Sequence, residues 1–236
     1  MEIITLRFDD GEVIPVEFTR KKMRHIRLRV LSGGRVVVSA PRLTPRVAVL
    51  AFLEYHKEWI YKHRTQKGQG QSYIDLPFLS EDGTAYYLGV KRQVRAVLSE
   101  KDGVEVAEDE IVVFCRKSLD RKERVYAGFL LRSAMEVFED AMKRWLPLFT
   151  RRGVQPPVVK IRRYRSKWGT CFPTRGEIVM NLHLIKADPS YIDYVMLHEM
   201  THLLYSGHGK AFYAFLLRAM PDAKERRKRL NEGVKE

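Results

Sequence analysis

The stretch VMLHEMTHLLYSGHGKAF, Val195 to Phe212, carries three of the seven histidines of a 236-residue chain within eleven positions. His198, Glu199 and His202 spell HExxH inside an apolar run. On a helix, residues four apart lie one turn apart on one face, so both imidazoles can reach a single ion. Glu199 stands beside that line, close enough to take a proton from a water on the ion. Neutral imidazole suits Zn²⁺, and a catalytic zinc site needs three protein ligands with a fourth position left for water. Two sources of the third ligand fit the spacing. The chain can turn at Ser206 and Gly207 and bring back His208, or a glutamate, Glu225 or Glu232, can arrive from a later helix. His208 is preferred, because Pro221 and the basic tail KERRKRLNEGVKE are poor surroundings for a buried carboxylate.

Working outward, Asp188, Pro189 and Ser190 place an acid at the N-cap and proline in the first turn, and predict a helix through Tyr191 to about Tyr205. A shorter helix should run from Lys210 to about Met220, before Pro221, with the charged tail either a solvated helix or disordered. Upstream, VVKIRRY and EIVMNL read as strands around a turn-rich segment, SKWGTCFPTRG. From Leu119 a long helix shows Val125, Phe129, Leu130, Ala134, Val137, Phe138, Met142 and Trp145 at spacings of mostly three and four. Gly153, Pro156 and Pro157 close it.

The first forty residues alternate like strands: IITLRF, VIPVEF after Asp9, Asp10 and Gly11, HIRLRVL, and RVVVSA after Gly33 and Gly34. Two successive hairpins are expected. Thr44 and Pro45 then start a helix carrying Val49, Phe52, Leu53, His56, Trp59, Ile60 and His63, which should end before an exposed loop at Gly68 to Ser72. Short strands follow at AYYLGV, RQVRAVL, GVEVA and IVVFC. No internal repeat or low-complexity segment is visible. The class is α+β, with a soft boundary near residue 118 between a β-rich region, 1–118, containing one helix, and a helix-rich half, 119–236.

Composition describes an ordinary globular chain, 45% hydrophobic and 31% charged. Lys and Arg exceed Asp and Glu by 14 and the pI is near 9.8. Such a balance attracts polyanions, nucleic acid and nucleotides among them, and suits equally a basic surface that keeps the chain soluble. Cys115 and Cys171 are far apart, which excludes a disulfide framework and a CxxC zinc site and fits a reducing interior. The N-terminal residues lack the basic and apolar runs of a secretory signal, and no apolar stretch approaches a membrane span. A cytoplasmic protein without membrane contact is expected; the oligomeric state is left open.

Four ordered segments resemble the YgjP-like zinc metallopeptidases, relatives of the SprT and WLM groups. They are RSKWGTC at Arg165 to Cys171, IVMNLHLI at Ile178 to Ile185, YIDYVMLHEMTHLL at Tyr191 to Leu204, and HGKAF at His208 to Phe212. The N-terminal RHIRLRV and RVVVSAP strands and the EWI helix are also similar to the family, so the likeness covers nearly the whole chain. Lys167 stands where that family usually has Arg, and Thr170 where it usually has Ser. The resemblance implies a minimal zincin-like catalytic core over 119–236 behind the β-rich region. It also implies one Zn²⁺ per chain held by His198, His202 and His208, with Glu199 as base.

The chemistry expected is metal-assisted hydrolysis of a peptide or protein substrate. In zincins a strand such as IVMNLHLI commonly flanks the cleft and can pair with an extended peptide, although its nearly continuous apolar run suits a buried core strand equally well. Candidate substrate contacts are Arg163, Arg165, Lys167, Trp168, Asn181 and His183. The basic residues are placed to stabilise an oxyanion, hold a phosphate or contact nucleic acid, with Trp168 as a stacking platform or as core. Cys171 reads as a packing residue, since three histidines and water complete the zinc shell. Two further readings stay open. One is a metal-dependent hydrolase of nucleoside triphosphates that lacks a P-loop and grips phosphate with side chains. The other is a SprT-like nucleic-acid-associated protein.

Overall fold

Period-two burial marks the first strands. In β1 (Glu2–Arg7) Ile4 and Leu6 are buried, and in β2 (Val13–Lys21) Ile14, Val16 and Phe18 are buried between exposed Val13 and Pro15 and half-exposed Glu17. One face of each strand meets a core and the other meets water. These strands belong to a computed structural model that describes residues 2–8, 11–31, 34–67 and 70–235. The turn signals Asp9, Asp10 and Gly33 and the start of the expected loop, Gly68 and Gln69, lie outside the described residues.

The chain divides into two compact units, residues 1–72 with 231–236, and residues 73–230. In the first, β3 (Arg27–Val30) and β4 (Val36–Pro41) complete a sheet ordered β1-β2-β4-β3. Both expected hairpins form, and parallel pairing of β2 with β4 joins them. The expected single helix is two, α1 (Arg46–Tyr55) and α2 (Lys57–Lys67). The break falls at His56, whose φ and ψ are −98° and 12° and whose ring Nδ1 lies 2.8 Å from the Phe52 carbonyl. That carbonyl is also the helical acceptor for the His56 amide, so side chain and backbone compete for it. Val49, Leu53 and Ile60 close the core over the sheet. A two-residue strand, β5 (Gly70–Gln71), pairs with Val234–Lys235.

In the second unit β6 (Thr84–Tyr87), β7 (Val90–Ser99), β8 (Gly103–Val106) and β9 (Glu110–Arg116) form a sheet ordered β6-β7-β9-β8, with β7 parallel to β9. Helix α3 (Lys122–Thr150) packs against β8, β9 and the next strand, β10 (Val158–Arg162). Then come β11 (Gly169–Phe172) and β12 (Glu177–Asn181), in the order β10-β12-β11. One pattern, a strand parallel to the last of three and a middle strand antiparallel to it, occurs three times: in β2-β3-β4, β7-β8-β9 and β10-β11-β12. The sequence shows no repeat, because strand alternation and turn placement preserve a topology without preserving residues.

Strand β11 lies inside the segment expected to be turn, and β12 is the central strand. With partners on both sides, β12 has no edge to offer an extended peptide, and Ile178, Val179 and Met180 are core. After a 3-10 turn, Leu182–Lys186, α4 (Pro189–Thr201) starts as the capping signal predicts: the Asp188 carboxylate accepts from the Ser190 amide at 2.8 Å. The β6–β7 turn braces this start. The Leu88 and Gly89 amides donate to the carbonyls of Ile185 and Lys186 at 2.8 and 3.1 Å. Helices α5 (Lys210–Ala219) and α6 (Ala223–Glu232) follow, so the tail is helical as far as Glu232. No helix among the described residues is long and apolar enough to cross a membrane. The architecture is α+β.

Candidate metal centre

Helix α4 ends four residues earlier than its periodicity predicts. His202 is its C-cap, and the turn beyond lets the Tyr205 carbonyl come back to 3.2 Å from Nδ1 of His202. A ring that donates from Nδ1 to a carbonyl keeps Nε2 unprotonated and free to ligate. His198 lies one turn before it. The chain then runs through Ser206 and Gly207 to His208, whose Nε2 stands 3.1 Å from Nε2 of His198. The ligand atoms of all three histidines lie within 4.8 Å of one another. Two nitrogens each about 2.1 Å from a tetrahedral ion stand roughly 3.3 Å apart, so the His198–His208 contact matches neighbouring ligands of one ion.

The electrostatics favour neutral, ligating imidazoles. Burial, then the nearby His202 and His208, push His198 down to about 3, and burial lowers His202. Nδ1 of His198 is buried with no hydrogen-bond partner among the described residues. Phe212, fully buried, lies under the cluster with its ring 5.1, 4.8 and 4.8 Å from the rings of His198, His202 and His208. It is the aromatic of HGKAF and closes the floor with an apolar face. Glu225, the alternative ligand, is paired instead with Arg229 at 2.9 Å.

Glu199 is buried, and burial pushes its carboxyl up to about 7 against the pull of the Lys167 ammonium and the Cys171 amide, which donates to it. Strand β11 runs beside this side chain. A Cβ on Gly169 would sit 2.8 Å from Cγ and 2.9 Å from Oε1 of Glu199. Glycine is therefore the residue that lets β11 approach the carboxylate. Burial and the charge of Glu199 push the Cys171 thiol up to about 12, so it stays protonated and unreactive.

The remaining candidates gather where β10 and β12 end. Asn181 is fully buried and all four hydrogen-bonding positions of its carboxamide are taken within the chain. The oxygen accepts from the amides of Tyr164 and His183, and the nitrogen donates to the carbonyls of Tyr164 and Lys167. It thus fastens the turn that carries Lys167, whose ammonium lies 4.3 Å over the Tyr164 ring. Trp168 is half-buried and its carbonyl accepts from the Asn181 amide. Arg163 and Arg165 are exposed, with Arg163 stacked 4.9 Å over Phe78. His183 is half-buried, its ring 4.6 Å from the same Phe78. An open groove of about 630 Å³, lined by His208, Gly209, Lys210, Tyr213 and Lys224, borders the third histidine.

Sequence reasoning missed Gly169, the Tyr205 carbonyl, the Cys171 amide and Lys186. Only Gly169 stood in a segment the sequence singled out, RSKWGTC, and nothing there showed that it lies against Glu199. The others act through backbone or through a contact made over 110 residues of chain.

A family model described as YgjP-like, metallopeptidase domain, matches residues 24–233. No curated protein matches the chain.

Proposed function

The chain belongs to the YgjP-like metallopeptidase domain family, and from that premise we propose that it is a zinc-dependent peptidase with His198, His202 and His208 as ligands and Glu199 as general base. The observation that carries this reading is three imidazoles converging beside a buried carboxylate with a proton affinity near neutrality. A base with a pKa close to the working pH both accepts and returns a proton readily. Zinc held by these nitrogens would supply Lewis acidity, lowering the pKa of a water to about 7 and polarising a carbonyl.

The chain's own residues do the rest. Glu199 takes the proton of the attacking water on a carboxylate oxygen and passes it to the leaving amine. The Cys171 amide keeps that carboxylate in place. Lys167, whose charge reaches Glu199, is a cation placed to meet charge developing on the substrate carbonyl. Strand β11 has a partner on one side only among the described residues, so its open side can take an extended peptide by β-augmentation.

The test is a mixed peptide library given to the zinc-loaded protein and to two variants. Glu199→Gln should keep zinc and lose turnover, whereas His202→Ala should lose the metal. Peptides left intact while nucleoside triphosphates release pyrophosphate would overturn the peptidase reading. A His202 variant with full zinc occupancy would overturn the ligand set.

A further inference from the structure

Arg163, Arg165 and Lys167 fall within five residues; Lys167 acts on the Glu199 carboxylate, and among the described residues neither arginine has a carboxylate partner. Elsewhere in the same unit arginines do: Arg144 with Asp193, Arg121 with Asp102, Arg226 with Asp222. The turn thus presents two arginines that no carboxylate neutralises. It is joined to the candidate catalytic carboxylate by contacts already described, from Glu199 to Lys167 and through Asn181 to His183.

Behind the turn sits a buried lysine. Lys186 is 0% exposed, and its ammonium donates to the Leu76 carbonyl at 2.6 Å and to Nδ1 of His183 at 2.8 Å. It also lies 4.6 Å over Phe78, the ring against which Arg163 and His183 stack. This contact decides a tautomer. While its ammonium is protonated, Lys186 has only protons to give, so in that state Nδ1 of His183 accepts and Nε2 carries the hydrogen. The Tyr73 carbonyl, 3.3 Å from the same Nδ1, would select the opposite tautomer, and the two bonds exclude each other. Burial pushes His183 down to about 4, so the ring is neutral at pH 7 and its tautomer has a defined meaning.

We propose that Arg163 and the Nε2–H of His183, held in that tautomer by Lys186, form a subsite for a carboxylate of the substrate, so that peptides with acidic side chains are preferred. This rests on the peptidase reading above. A guanidinium and an imidazole N–H against one aromatic ring offer donors in a polar, partly dry setting, where a charge-assisted bond to a carboxylate is about twice as strong as a neutral one. Lys186 is a positioning residue in this scheme. Without it, Nδ1–H turns to Tyr73 and Nε2 becomes an acceptor facing an anion.

The experiment uses zinc-loaded Glu199→Gln protein and two fluorescein-labelled, C-terminally amidated octapeptides, one alternating Ala and Glu, the other Ala and Gln. The Glu peptide should bind at least tenfold tighter. That preference should fall below threefold when Arg163→Gln or Lys186→Met is added, and should survive Lys101→Gln, an exposed cation between β7 and β8. At pH 6, where Lys186 is charged and His183 neutral, nitrogen-15 NMR should show His183 protonated at Nε2, and protonated at Nδ1 in Lys186→Met. Equal binding of the two peptides, a preference untouched by Arg163→Gln, or a His183 already protonated at Nδ1 would overturn the proposal. So would displacement of the Glu peptide by inorganic tripolyphosphate at concentrations below the peptide's own dissociation constant, which would assign the subsite to phosphate. Binding needs no turnover, so the two readings fail separately. Glu199-dependent cleavage without acidic preference sinks the subsite alone, and acidic preference without cleavage of any peptide sinks the peptidase.

Discussion

A methyl group on Gly169 would stand 2.8 Å from Cγ of Glu199, so Gly169→Ala has to push the carboxylate aside. Because a catalytic group displaced by about 1 Å can cost 10²-fold, peptide hydrolysis should drop by roughly that factor while zinc content stays at one per chain. Steady-state kinetics with metal analysis checks this; an alanine variant with full activity would mean that β11 does not set the base. Lys186 gives a pH prediction with a definite sign. Burial lowers its ammonium from 10.5 to about 7, while the unfolded chain keeps it near the ordinary lysine value. Between those values the unfolded chain binds more protons, so the destabilisation is complete below pH 7 and is relieved as pH rises toward 10. Relative to Lys186→Met, the native protein should therefore gain stability from pH 6.5 to 10, on the order of 4 kcal/mol at about 1.4 kcal/mol per pKa unit. Urea unfolding of both proteins across that range reads it, and parallel curves would refute it.

Helix α4 owes its position to a neighbour that its own sequence does not reveal. Gly89, at φ +86°, lies on the backbone of Asp188, the N-cap, where a Cβ would be 3.1 Å from the Asp188 Cα. Backbone cannot yield as a flexible side chain can, and alanine is also strained at that φ. Gly89→Ala should destabilise the protein by about 1–3 kcal/mol, measured by denaturant titration. Removal of the Asp188 cap by alanine should cost about 1 kcal/mol in the same assay. The cap was legible because it is local: an acid, a proline and a serine in register. The other end was not, since the turn after Thr201 depends on where the Tyr205 carbonyl meets His202. Strand β11 was hidden for a similar reason. Four half-buried residues show no alternation, and only their pairing with β12 makes them a strand.

The unit of residues 73–230 contains the three histidines, Glu199, β11 and the Asn181 turn. Zinc that binds only the folded form should stabilise it by about 4 kcal/mol at a thousandfold excess over its dissociation constant. Hydrogen exchange should slow on adding zinc across α4, the following turn and the start of α5, and a chelator should reverse this. Slowing spread evenly over residues 1–72 would contradict a site built wholly from the second unit. The excess of 14 positive charges adds a long-range attraction for anionic substrates that salt should weaken.

By itself the sequence determined the local features: HExxH on one helical face, a third histidine past a glycine turn, the Asp188 cap, and strands alternating with a period of two. Each of these is an interaction between residues close in the chain, so spacing alone expresses it. Only the tertiary structure decided that β12 is a central strand with no free edge, that β11 lies against Glu199, and that the Lys186 ammonium meets Nδ1 of His183. Those outcomes depend on pairings and burial between distant segments, Leu76 with Lys186 and Gly169 with Glu199, whose energies do not exist until the chain has folded.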